Sequence, residues 1–146
     1  MRRATAAALS AAALALPSVN AWGAATAPKA VAKKKVVTRI KSFTGGAASA
    51  GRWGNVQVTI VVRKTTTTNL ATKKKTVARR IASVKVPVYP NHTDRSVFIN
   101  QHALPTLIQE AIRAQSANVD MVSGATDTSQ AFEQSLQSAI LKARAW

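Results

Sequence analysis

With 146 residues the chain has room for one ordinary domain with a modest core. It contains no cysteine, which excludes a disulfide framework, thiolate metal sites, iron–sulfur clusters, CxxCH haem attachment and a lipid anchor on an N-terminal cysteine. The net charge of +16 is unevenly spread, because residues 22–100 carry sixteen basic side chains against Asp94 alone while residues 101–146 carry three against four acidic ones, so two surfaces with different tasks are expected.

The chain opens on MRRATAAALSAAALALPSVNAWGA, two arginines followed by an apolar Ala/Leu run, Pro17 and small residues. That layout predicts a signal peptide over residues 1–21, with cleavage after Ala21 or as late as Ala24, and therefore an exported, extracytoplasmic protein. The apolar run from Ala4 to Leu16 falls short of the roughly 20 residues of a spanning helix. Arg2-Arg3 lacks the polar and bulky neighbours of a twin-arginine signal, which leaves the general export route. Residues 22–35, rich in Ala and Lys, show neither helical nor strand periodicity and are expected to form a flexible basic tether before one domain over 36–146.

VVTRIKSF, from Val36, alternates as a first strand, and GGAASAG makes a glycine-rich turn. Val56 to Val62 is the clearest strand, with Val56, Val58, Ile60 and Val62 on one face and Gln57, Thr59 and Arg63 on the other. RKTTTTNLATKKKT breaks the pattern and is expected to be an exposed hairpin loop. A further strand over Val77 to Tyr89 carries Ile81, Val84, Val86 and Val88, and Pro87 favours an edge position. The connections suit antiparallel neighbours.

Past Pro90 the period lengthens, and Leu104, Leu107, Ile108, Ala111 and Ile112 fall on one helical stripe. Pro105 predicts a short helical turn before Leu104 and a separate main helix after it. Ser129 to Ala143 sets Phe132, Leu136, Ile140 and Ala143 on one face of a last helix. A small antiparallel sheet followed by two main helices makes a single-domain α+β fold.

Between those helices lies DMVSGATDTS, Asp120 to Ser129. Gly124 permits positive φ, and Thr126, Asp127, Thr128 or Ser129 can each cap the last helix. Alternatively, free backbone N–H groups and the helix dipole suit a phosphate, with a hydroxyl at hand to contact it or be esterified by it. No GxxxxGK loop occurs, which argues against nucleoside triphosphate chemistry.

Trp53, beside glycines, is the first choice for a residue flanking a planar ring, ahead of Tyr89 and Phe98; core or edge packing explains each of them singly. His92 and His102, with Asp94 nearby, lack a third obvious ligand and are expected at the surface or as caps, not at a metal. No Ser-His-Asp or paired-carboxylate arrangement is present, so no catalytic residue for hydrolysis is assigned.

From Tyr89 to Ala143 the sequence resembles the FMN-binding domain family, most closely its small exported single-domain members. Other members are extracytoplasmic subunits of sodium-pumping NADH:quinone reductase and of Rnf-type complexes. GRWGNVQVTIVV, Gly51 to Val62, is similar to the family's early strand. The resemblance implies FMN as cofactor, in many members esterified through its phosphate to Thr or Ser by a flavin transferase that recognises Asp, two variable residues, Ser or Thr, Gly, Ala and the acceptor. Asp120, Ser123, Gly124, Ala125 and Thr126 match each fixed position, which makes Thr126 the acceptor by implication, with Thr128 and Ser129 as neighbouring hydroxyls. It also implies an electron carrier more than a stand-alone enzyme, working with a membrane or extracellular redox partner. The chain departs from the family's short GKI-type hairpin, having TTTTNLATKKKT instead, and nothing functional carries over to that loop.

The runs Lys33–Lys35 and Lys73–Lys75, with Arg79-Arg80, raise a rival class: a basic module for nucleic acid or an anionic envelope polymer, without flavin. The basic runs neighbour Thr, Ala and Val, not aromatics, which disfavours nucleic acid and leaves an anionic cell-envelope surface as the partner.

Overall fold

The structure, a computed structural model, describes residues 33–146. The signal segment and residues 22–32 of the tether lie outside the described residues. Four strands come first: β1 (Lys34–Thr44), β2 (Ala48–Ser49), β3 (Asn55–Asn69) and β4 (Lys75–Val88). Helices α1 (Asp94–Ala114) and α2 (Thr126–Arg144) follow, so the chain is the expected α+β domain. β1 takes in Lys34 and Lys35, two residues expected in the tether.

β3 is the central strand, paired antiparallel with β1 and β2 on one side and β4 on the other. Its valine-rich half alternates as the sequence requires: Val56, Val58, Ile60 and Val62 are buried beneath the helices. On β4 the spacing of three between Ile81 and Val84 is absorbed by a bulge, since Val62 pairs with Ile81 and Val61 with Ser83. The extra residue, Ala82, lets both flanking apolar side chains face the core. β4 pairs only with β3, and Pro87 sits on that open edge.

The expected loop over RKTTTTNLATKKKT is largely strand. β3 continues through the four threonines to Asn69 and β4 resumes at Lys75, which shortens the turn to residues 70–74. Thr is β-branched and fits an extended, half-exposed ladder, a propensity that outweighs the absence of apolar alternation. Asn69 closes the turn, its Oδ1 accepting from the N–H groups of Ala71 at 3.0 Å and Thr72 at 3.4 Å.

α1 is likewise one helix where two were expected, with Pro105 inside it. An interior proline costs about 3 kcal/mol. Burial of Asn100, Ala103 and Leu104 before it and of Leu107 and Ala111 after it offsets that cost, and Pro105 itself faces outward. Thr93 caps the helix, its Oγ1 accepting from Ser96 N at 3.1 Å.

α2 buries Ala131, Phe132, Leu136, Ala139, Ile140 and Ala143 against the sheet. It approaches closely: a Cβ at Gly45 would lie 2.0 Å from the Ser135 carbonyl oxygen. Beside it, the buried Ser135 Oγ accepts from Val58 N at 2.8 Å, fixing the helix to mid-β3.

Candidate functional site

The loop between the helices and the start of α2 are held by one serine. Ser129, 1 % exposed, donates through Oγ to the Ala125 carbonyl at 2.9 Å and accepts from Val122 N at 3.1 Å. Ala125 N in turn donates to the Val122 carbonyl at 3.0 Å. Gly124, at φ +81°, lies inside this closed loop, where an L side chain is strained.

The expected capping role of Thr126, Asp127, Thr128 and Ser129 does not hold. α2 begins at Thr126, three residues before the expected start, so all four lie within its first turns. The cap position is Ala125, which has no side-chain acceptor and leaves the first N–H groups of the helix without a capping partner. With the positive end of the helix dipole, those groups form a place for an anion. Asp127 in the same turn opposes that charge.

Thr126 is exposed at the rim of an open cleft of about 240 Å³, a little below the roughly 300–1,000 Å³ of enclosed small-molecule sites, as suits a groove that covers only part of its ligand. The loop and α2 contribute Gly124 to Thr128; α1 contributes Arg95, Ser96, Ile99 and Asn100; Trp53 and Pro90 complete the wall. Trp53 stands on a 3-10 turn, Gly51–Trp53, between β2 and β3, with the Arg52 guanidinium 4.9 Å from its ring centroid. Gly54, at φ +122°, brings this turn against the segment between β4 and α1: a Cβ there would be 2.9 Å from His92 Nε2.

Asn100 is the one buried side chain among the described residues with an unpartnered polar atom. It is 1 % exposed, and its Nδ2 donates to the Pro90 carbonyl at 2.7 Å. That bond sets the amide's orientation and leaves Oδ1, on a residue that lines the cleft, without a donor.

Of the residues assigned from sequence, the structure brings Trp53, Gly124, Ala125, Thr126 and Thr128 together in the cleft wall. Ser123 and Asp120 are exposed on the loop outside it. Tyr89 and Phe98 do not line it; Phe98 is 65 % exposed and packs on His102. Arg95, Ser96, Ile99 and Asn100 were not anticipated. Their available signal was a buried amide on an apolar helix face, since Asn100 falls in the stripe with Leu104 and Leu107.

The cleft suits a ligand with three parts: an anionic group at the start of α2, a planar apolar body beside Trp53, Pro90 and Ile99, and an N–H or O–H donor for Asn100 Oδ1. Arg95 adds a positive charge to the wall. A flavin mononucleotide has all three features, so the residues present fit it. A family model described as FMN-binding domain matches residues 51–141, from the Trp53 turn almost to the end of α2. No curated protein matches the chain.

Proposed function

The chain belongs to the FMN-binding domain family, and from that premise we propose that it is an exported electron carrier holding its flavin as a phosphoester on Thr126 Oγ. The observation that carries this reading is the position of Thr126, an exposed hydroxyl on the first residue of an uncapped helix at the rim of the cleft. The bound flavin supplies one- and two-electron chemistry. The polypeptide binds, orients and shields it.

Each residue then has a physical task. Backbone N–H groups at the start of α2 neutralise part of the phosphate charge, and Arg95 offsets Asp127 in the same wall. Trp53, Pro90 and Ile99 cover apolar ring surface. Asn100 Oδ1 accepts from a ribityl hydroxyl or the ring imide N–H. In forming the ester, Thr126 Oγ loses its proton and gains the bond to phosphorus. The bond broken would be the anhydride of a flavin–nucleotide pyrophosphate held by the transferase, with a nucleoside monophosphate as leaving group and the transferase taking the hydroxyl proton. Asp120 and Ser123, exposed on the loop and outside the cleft, are the residues the transferase would read. A covalent bond keeps the cofactor from diffusing away outside the cell.

The test is co-expression with a flavin transferase, followed by a denaturing gel and intact mass. The expected result is a fluorescent band and a mass gain of one FMN less one water, both lost in Thr126→Ala and impaired in Asp120→Ala. A fluorescent band in Thr126→Ala would overturn the attachment point. Flavin that binds but is released on denaturation would overturn the ester alone.

A further inference from the structure

The sheet extends well beyond the helices that cover its other half. Burial on β3 stops at Val62, and from Arg63 to Asn69 no residue of that strand is buried. Lys34 to Ser42 of β1 and Lys75 to Arg80 of β4 are exposed throughout. The result is a three-stranded blade ending in the turn over residues 70–74, with no aromatic residue over residues 34–41 and 62–81.

Its charge is one-sided. From Lys33 to Thr93 the chain has fourteen basic residues and no acidic one. Arg39, Lys64 and Arg79 pair in one cross-strand row, and Arg63 and Arg80 pair in the adjacent row on the opposite face. Like charges directly opposite in a sheet are destabilising. The one ion pair among the described residues joins Arg113 to Glu110, both on α1, and so involves no cation of the blade. Lys64 is partly relieved by its bond to the Trp146 carbonyl and its place 5.0 Å from that ring's centroid; the two arginines in its row are not. Lysines on edge strands alone would be explained as protection against strand pairing. Arg63 and Lys64 lie on the central strand, where that explanation does not apply.

Apolar side chains stand exposed among these cations: Val36 at 59 %, Ile40 at 61 %, Leu70 at 44 % and Val77 at 41 %. A soluble polyanion would use the cations and leave the apolar groups wet. A single-stranded nucleic acid would call for a series of aromatic stacking platforms; the blade's own residues include none, and Trp146, the one ring beside Lys64, packs on Phe43. A bilayer bearing anionic lipid uses both, attracting lysine and arginine to its headgroups while apolar side chains enter the interface. We infer that the blade is a peripheral docking surface for an anionic lipid bilayer, with Leu70 and the lysines of the turn entering first. Among the described residues no helix is long and apolar enough to cross a membrane. Docking by the blade needs no such helix and does not depend on flavin.

The full chain is sedimented with vesicles of phosphatidylcholine alone and of phosphatidylcholine mixed with phosphatidylglycerol, at low and high salt. Binding only to the anionic vesicles, weakened by salt, is expected. Lys74→Glu/Lys75→Glu should weaken that binding by about tenfold or more, whereas Arg52→Glu/Arg113→Glu, with the same change in net charge on the Trp53 turn and on α1, should leave it near wild type. Leu70→Ser should weaken vesicle binding several-fold while leaving binding to soluble polyphosphate unchanged. All variants keep residues 1–32, so any contribution of that segment cancels. Equal binding to both vesicle types, or equal loss in the two charge-reversal variants, overturns the inference. If Leu70→Ser binds vesicles as wild type does, apolar side chains do not enter the interface, and the choice of a bilayer over a soluble polyanion is overturned. Thermal melting of each variant separates lost docking from lost folding.

Discussion

Ser129 Oγ accepts the N–H of Val122, seven residues earlier, at 3.1 Å, and so ties the first turn of α2 to the loop that precedes it. The same oxygen donates to the Ala125 carbonyl. Both partners stay polar if the hydroxyl is removed, and Ser129 is buried. Ser129→Ala is therefore expected to cost about 1–3 kcal/mol. If the loop's shape is what presents Thr126, flavin incorporation should fall more steeply than the variant's thermal stability predicts. Parallel melting curves and in-gel flavin fluorescence check both.

Gly124→Ala separates backbone conformation from crowding. No heavy atom lies within 4 Å of a Cβ built there, yet φ is +81°. The expected destabilisation is about 1–2 kcal/mol, the cost of a left-handed conformation for an L residue. A shift in urea midpoint with unchanged slope would show that the effect is on folding stability. Gly124→Asn, which tolerates that region better, should recover part of the loss.

Asn100→Leu is expected to act mainly on the flavin-loaded state. In the unloaded protein the substitution removes one hydrogen bond, to Pro90, but also removes an unpartnered buried oxygen, so the two effects partly cancel. Once flavin is bound, only the wild type keeps the oriented amide oxygen in that part of the wall. In a Thr126→Ala background, where binding is noncovalent, FMN affinity should fall roughly tenfold or more, equivalent to about 1–3 kcal/mol. Equilibrium titration by flavin fluorescence measures it. An unchanged affinity would mean that Oδ1 faces no donor of the ligand.

The parts of this molecule governed by local pattern were readable from the chain. The alternation from Val56 to Val62 and the stripe through Phe132, Leu136 and Ile140 need only their own periodicity to place them on the core. The threonines at 65–68 and Pro105 were misjudged because in each case a local rule met a tertiary one. Pairing with both neighbours extends the threonine strand, and burial on either side carries α1 through the proline. The cleft was half legible. Its loop carries a recognisable motif, and Trp53 stood out beside glycines. Arg95 and Asn100 did not, because a single amide within an apolar stripe gains meaning only when its neighbours in space are known.

Gln115 joins the end of α1 to the sheet through its side chain. It ends α1 in the left-handed region at φ 53°, uncommon for a residue other than glycine. Its side chain mimics a strand: Oε1 accepts from Ile81 N at 2.7 Å and Nε2 donates to Ile81 O at 3.0 Å. The open edge of β4 is thereby closed at the residue next to its bulge, and α1 is joined to the sheet. Gln115→Gly relieves the backbone strain but abolishes both bonds, whereas Gln115→Asn keeps the amide on a shorter stem. If the paired hydrogen bonds dominate, Gln115→Gly should lose about 1–3 kcal/mol despite its easier backbone. If strain dominates, Gln115→Gly should be as stable as wild type or more so. The urea midpoint of Gln115→Gly against wild type distinguishes the two, and faster amide exchange at Ile81 checks that its N–H has lost the Gln115 acceptor.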